Sequence, residues 1–253
     1  MNTIKPNKGK NIEIEVQGET LHRYPIKTDV FAKGDEYAEK ISTFINKAAA
    51  QIFSNDAKEQ KEWYVLVSEK IVAISQGRSY FIKDIKPTWW AKTLSHFVKK
   101  TPHGIGLGSP WTMELAIGEV GLPRILLAAF ASVVTKPFGL SGVFYHIAGR
   151  QAAAIDGPTS YSLYPSNVSA KLAPKDPQKA AEKITKAIKS KITDHTLRKH
   201  FGGAVIIDAN DLGRNIMGNA TDKQNRFFEE IMRDNPMGQG SEQTPLVIAF
   251  EKI

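Results

Sequence analysis

Apolar and polar residues alternate over Asn11–Val16, and a period of two predicts a strand there. Pro25–Val30 reads as a second extended segment, and Lys33-Gly34-Asp35 as a turn. The period then changes. Tyr37, Ile41, Phe44, Ile45, Ala48 and Ile52 recur at helical spacing, which predicts a helix over Tyr37–Ile52. Trp63–Val67 is a compact apolar run suited to a buried strand, and Ile71–Ile74 reads as its continuation until Gly77 breaks it. Ser109-Pro110 predicts a helix start, because serine caps free amides and proline suits the first turn; Gly121 and Pro123 read as its end. Ile125–Val134 is apolar throughout and is expected to be a buried helix, and Gly142–Ala148 a short strand. Asp176-Pro177 opens a helix over Gln178–Ile192, with Ala181, Ile184, Ala187 and Ile188 on one face. Ala204–Ile207 predicts a buried strand ending in Asp208, Arg226–Arg233 a short helix, and Thr244–Phe250 a terminal strand. Strands and helices alternate without repeats or linkers. The class is therefore α/β or α+β, read as one domain over residues 1–253, divisible into two subdomains at a boundary the pattern does not mark.

Composition narrows the function classes. The chain has no cysteine, which excludes disulfides, thiolate metal sites and a cysteine nucleophile and suits a reducing cytoplasm. No apolar run approaches the roughly 20 residues a bilayer span needs, and the N-terminus lacks a signal-peptide core, so a cytoplasmic protein with no membrane partner is expected. The net charge of +8 favours anionic partners. Its densest stretch, Lys171–Lys191, reads as the solvated face of a helix or as a field that steers an anionic substrate. No zinc finger, aromatic RNA-binding signature or basic tail points to nucleic acid.

The strongest chemical signal is Ile206-Ile207-Asp208-Ala209-Asn210-Asp211-Leu212-Gly213-Arg214, a buried strand ending in two acids, then glycine and arginine. Two carboxylates three residues apart can share a hard cation at a strand's carboxyl end; they can equally form a turn that only reverses the chain. Asp156, in Ala154-Ile155-Asp156-Gly157-Pro158, offers the same two choices, with Ser166 and Asn167 downstream as phosphate contacts or turn caps. Gly34-Asp35-Glu36 precedes a helix, whose dipole an acid complements. In Ser68–Arg78, Lys70 inside an apolar run needs either a phosphate to face or an exposed edge strand. The glycine-rich run His103–Pro110 leads into a helix N-terminus but matches neither a Walker loop nor a dinucleotide fingerprint. His146 and His200 stand alone and read as structural, and there is no nucleophile elbow or zinc motif.

Taken in order, these pieces resemble the coenzyme F-420-0:L-glutamate (γ-glutamyl) ligases. Gly34-Asp35-Glu36-Tyr37-Ala38 is similar to that family's Gly-Asp-Asp-Leu-Ala turn, and Trp63–Arg78 to its strand followed by Ser/Thr-x-Lys-Ile-Val-Ser and Gly-Arg. Asp156 with Ser166-Asn167 resembles its Gly-Val-Asp-Arg-Ser-Asn, here interrupted by an insertion. Leu172–Lys183, with Asp176-Pro177, resembles its Leu-Pro-x-Asp-Pro and the helix after it. Ile206–Arg214 is similar to its Ile-Ser-Asp-Thr-Phe-Gly-Arg loop, and Met237-Gly238-Gln239 to its Met-Gly-Lys.

The resemblance implies a two-part α+β fold, an intertwined homodimer, GTP or ATP as co-substrate, Mg²⁺ or Mn²⁺, and L-glutamate joined to a carboxylate acceptor through an acyl phosphate. It assigns the metal and the catalysis to Asp156, Asp208 and Asp211. Strand position favours Asp208 as the family's aspartate, and spacing to Gly-Arg favours Asp211. Nucleotide and phosphate contacts fall on Asp35, Lys70, Ser75, Arg78, Ser166, Asn167, Gly213, Arg214 and Gln239. The departures fall in the other half of the reaction. Asn215–Asn225 replaces a longer family loop, Gln239 stands for a lysine, and the arginine after the Asp156 motif is absent. They leave open an acceptor other than F-420-0, such as folate, or a homologue that binds nucleotide without turnover.

Overall fold

The computed structural model describes residues 4–53, 62–98, 106–140, 142–158, 168–209, 213–238 and 240–251. In chain order the elements are β1 (Glu13–Val16), β2 (Glu19–Ile26), α1 (Tyr37–Ile52), β3 (Trp63–Ser68), α2 (Glu69–Ser75), β4 (Ser79–Phe81), α3 (Trp89–Ser95), α4 (Pro110–Val120), α5 (Leu122–Thr135), α6 (Val143–Ala148), α7 (Arg150–Ala153), β5 (Ser169–Lys171), α8 (Pro177–Lys191), α9 (His195–His200), β6 (Phe201–Ala209), β7 (Arg214–Asn219), α10 (Asn225–Ile231) and β8 (Leu246–Glu251). The fold is mixed α+β, as the pattern predicts, and divides into two compact units: Met1–Gln76 with Pro174–Ile253, and Gly77–Ala173.

The first unit is a six-stranded sheet in the order β1-β2-β8-β3-β6-β7. Only β3 and β6 run parallel; β8 pairs antiparallel with β3 and β2. Both faces of the central strands are covered, which is why β3 reads as an unbroken apolar run. Trp63, Val65 and Val67 face a core shared with Ile41 and Ile45 of α1 and Ile184 and Ile188 of α8. Tyr64 and Leu66 join the opposite core, with Phe228 and Ile231 of α10. Ile41 and Ile45 are fully buried, each stabilising by about 1.5–3 kcal/mol.

One close approach fixes how α8 meets the sheet. A Cβ on Gly218 of β7 would lie 2.2 Å from the Pro177 carbonyl oxygen. Gly218→Ala is therefore expected to cost about 1–2 kcal/mol by pushing the start of α8 off the sheet, seen as a lower urea midpoint at unchanged slope.

The second unit pairs β4 with β5 and gathers short helices around a smaller core that includes Leu107, Met113, Ile125, Ala148 and Leu172. The Ser109 hydroxyl accepts from the Thr112 amide at 3.2 Å and Pro110 opens α4, as the sequence predicts. Gly121, at φ +85°, ends α4; Pro123 does not, and sits in the first turn of α5.

Several expectations are corrected. Ile71–Ile74 does not extend β3: the chain turns into α2 at Glu69, which buries Ile71, Val72 and Ala73 by helical spacing. Gly142–Ala148 forms α6 rather than a strand, packed against α5. The second extended segment begins earlier, at Glu19, and ends at Ile26. β6 continues through Asp208 to Ala209 because β7 pairs with it there. Ile125–Val134 is helical but only half covered: Ile125 and Ala128 are buried, whereas Leu127, Phe130 and Val133 are exposed. Among the described residues no single helix is long and apolar enough to cross a membrane. α4 and the run Leu122–Phe138 meet that test only as a pair, bent by 116°.

Candidate functional site

The parallel pair β3–β6 defines the most promising end of the first unit. Val67 faces Ile206 and Ser68 faces Ile207 in register, so the two strands finish side by side. Carboxyl ends of parallel strands are where mixed sheets hold ligands, because helices start there and backbone amides are free. β3 passes directly into α2, which places Glu69 and Lys70 just beyond its end. β6 carries Asp208 past that point, half-buried and paired in register with Asn215. Ala209 pairs with Arg214, whose exposed guanidinium donates to the Arg233 carbonyl at 2.7 Å. A Cβ on Gly213 would meet open space, so packing does not demand glycine there. Asp211 lies outside the described residues, as do Ser166, Asn167 and Gln239.

Glu69 was not marked by the sequence, yet it is only 3% exposed. The signal for it was present: a charged pair, Glu69-Lys70, followed by Ile71, Val72 and Ile74 at helical as well as strand spacing. Read as a strand, the pair put Lys70 inside. The helix buries Glu69 in its first turn, where the dipole favours an acid, and leaves Lys70 half-buried. The helix thus spares Lys70 the buried position that a strand would have imposed on it.

Asp35 and Ser75 are brought together, through the backbone. Gly34 adopts φ +89°, open to glycine, and its amide donates to the Ser75 carbonyl at 2.9 Å. The Ser75 hydroxyl donates back to the Ile71 carbonyl at 2.8 Å, within its own helix. The Asp35 carboxylate accepts from the Lys40 ammonium at 2.6 Å and from the Ala32 amide at 3.0 Å. The Lys40 bond first, then the Ala32 amide, holds its carboxyl below the usual range. Next to this turn, Gln76 exchanges two hydrogen bonds with the backbone of Lys175, at 2.7 and 3.0 Å, tying α2 to the start of α8. These contacts pin the ends of three helices and satisfy both predicted ligand side chains locally.

The second unit holds Arg78 and Asp156. Arg78 donates to the Ala173 carbonyl and pairs with Glu119 at 2.6 Å, mostly buried. Asp156 forms a two-way backbone bridge with Lys171, both bonds 2.9 Å, and its carboxylate lies 3.4 Å from the Lys171 ammonium. Lys171 is buried, so it does not belong to the solvated face predicted for Lys171–Lys191; that face is carried by Lys179, Lys183, Lys186 and Lys189 of α8, all exposed. The glycine-rich run is described only from Gly106 onward, and there the Ser109 hydroxyl is engaged as the cap of α4. Among the described residues no three His, Asp or Glu side chains are grouped to hold a metal ion.

No curated protein matches the chain. A family model described as F420-0:Gamma-glutamyl ligase matches residues 25–238, and by that match, which spans most of the sequence, the chain belongs to this ligase family.

Proposed function

We propose that the chain is a nucleotide- and divalent-metal-dependent amide ligase that adds L-glutamate to a carboxylate acceptor. The observation that carries this reading is the family match across residues 25–238. In the proposed reaction the acceptor carboxylate attacks the γ-phosphate of GTP or ATP, and the diphosphate nucleotide leaves. The glutamate amine then attacks the acyl carbon of the acyl phosphate, loses a proton, and displaces inorganic phosphate. Such chemistry asks the protein mainly to position reactants and neutralise charge.

Carboxylate oxygens are the ligands Mg²⁺ and Mn²⁺ prefer, and Asp208, half-buried where two parallel strands end, fits that requirement. Asp208 and Asp211 would hold the ion, which when bound offsets phosphate charge. Asp156 is the donor that the resemblance implies in the second unit, where the Lys171 ammonium lies 3.4 Å from its carboxylate. Lys70, just past the end of β3, is the cation proposed to meet phosphate oxygens. Arg78 is a weaker candidate for that task, because Glu119 already occupies its guanidinium. The resemblance also implies a homodimer, which sedimentation equilibrium tests.

The deciding experiment is mass spectrometry of cell extract incubated with the protein, Mg²⁺, GTP, ATP and isotopically labelled glutamate. A product that gains one or more glutamate masses identifies the acceptor. Nucleotide binding with no glutamate-dependent product under any condition would reduce the chain to a binding protein. Asp156→Asn is expected to lower phosphate release about tenfold or more if its carboxylate meets the ion. Unchanged release would confine that residue to its bridge with Lys171.

A further inference from the structure

The exposed large apolar side chains are concentrated in the unit Gly77–Ala173, and their most ordered group lies on α5. Leu127, Phe130 and Val134 follow one another at spacings of three and four residues, which places them on one face of the helix. They are 58%, 68% and 47% exposed, and Val133 beside them 65%. The stripe runs on into the turn after α5, where Phe138 and Leu140 are exposed as well. The opposite face is conventional: Ile125 and Ala128 are fully buried in the unit's core. A contiguous apolar stripe of this kind on a water-facing helix marks an interaction surface.

The charges around it say what the surface meets. From Val120 to Ile155 the chain contains no aspartate or glutamate, while Arg124, Lys136 and Arg150 are cations. Arg124 and Lys136 are exposed at the two ends of α5. The whole unit Gly77–Ala173 carries ten lysines and arginines against four acids, so most of the chain's net +8 resides where its exposed apolar surface does. A second copy docking the same face would set cations against cations with no acid in the stretch to pair them, which costs binding free energy. An anionic lipid surface matches both properties. Its headgroups attract the cations, and its acyl boundary takes up an apolar helix face lying in the plane. Length agrees: α5 has 14 residues, about 21 Å, too short to span a bilayer but long enough to lie on one.

We propose that α5 and the turn after it dock in the plane of an anionic lipid bilayer through Leu127, Phe130, Val133, Val134 and Phe138, with Arg124 and Lys136 toward the headgroups. This departs from the expectation of no membrane partner. That expectation came from seeking a span, whereas in-plane docking needs only one apolar face and leaves no such run in the sequence. The proposal does not depend on the ligase reading.

The test is flotation of the full-length protein with vesicles of phosphatidylcholine alone and with about 30 mol % phosphatidylglycerol. The protein is expected to float with the anionic vesicles, much less with the neutral ones, and less as salt rises. Lys136→Glu should weaken binding several-fold, and Leu127→Ser with Phe130→Ser by tenfold or more, with unchanged circular dichroism because both side chains already face water. Binding to neither vesicle, or equal binding to both, would overturn the proposal. So would a double variant that floats like wild type but sediments as a smaller species, since the stripe would then be a contact between copies.

Discussion

Asp208→Asn is expected to lower nucleotide-dependent phosphate release by about 10²-fold or more, the usual scale for removing a charged group that stabilises a phosphoryl transition state. The substitution keeps size and one oxygen, so β6 keeps its pairing with Asn215 and the fold should be unmoved. The loss should appear in kcat, and raising Mg²⁺ or Mn²⁺ should recover part of it if the carboxylate meets the ion. Asp211→Asn, measured alongside, separates the two aspartates that the sequence leaves open: the larger loss marks the ligand. If both variants turn over like wild type, the strand end is a turn and the metal assignment fails.

Arg23→Met is the substitution expected to destabilise the fold most. Arg23 is 1% exposed and its guanidinium donates in three directions. It meets the Ile231 carbonyl at 2.6 Å, the Asn11 carbonyl at 2.9 Å, and both carboxylate oxygens of Asp234. It therefore ties β2, the segment before β1, and the turn after α10 into one point. Methionine fills similar volume but leaves those acceptors without their donor. Removing one partner of a buried charged network costs about 3–5 kcal/mol, and the low end applies because Asp234 is 38% exposed and can rehydrate. A loss near 3 kcal/mol corresponds to roughly 6–12 °C in a domain of this size, read by thermal melting. A shift under about 1 °C would show that the network contributes nothing net.

The same network predicts a pH signature. Burial pushes the Asp234 carboxyl up, but hydrogen bonds from Arg23, the Arg23 charge, its own backbone amide and the Lys10 ammonium outweigh burial, and it ends below its ordinary value of 3.8. A carboxyl lowered on folding stabilises fully above its unfolded value and loses that contribution as pH falls through the folded one. The gap between wild type and Arg23→Met should therefore be widest near neutrality and shrink below about pH 4. A gap that is flat down to pH 2 would mean the carboxylate interaction adds no stability.

Local pattern was informative wherever one period was clear. The helical spacing from Tyr37 to Ile52 coincides with α1, Asp176-Pro177 marks the start of α8, and Ser109-Pro110 the start of α4. These signals are local: a cap, a proline and an apolar stripe act within a turn or two of themselves. Pattern failed where a short apolar run fits both periods. Ile71–Ile74 and Val143–Ala148 could be either element from their residues, and neighbours decided. β3 is already flanked by β8 and β6, and α6 lies against α5. The chemistry followed the same division. Asp208 stood out because an acid closing an apolar strand is visible in a linear string. The partners that now occupy Asp35, Ser75 and Arg78 lie 5, 4 and 41 residues away, and the last of these could not be paired by inspection.

Residue order alone therefore determined the alternation of elements, the family motifs and the aspartate at the end of β6, because each depends on neighbours a few positions apart. Tertiary structure alone decided that Glu69 goes inside while Lys70 does not, that Arg78 answers to Glu119, and that half of the apolar run Ile125–Val134 faces water. Burial and ion pairing are set by whatever packs against a residue. For these side chains that partner comes from elsewhere in the chain, or, on the outer face of α5, from outside it.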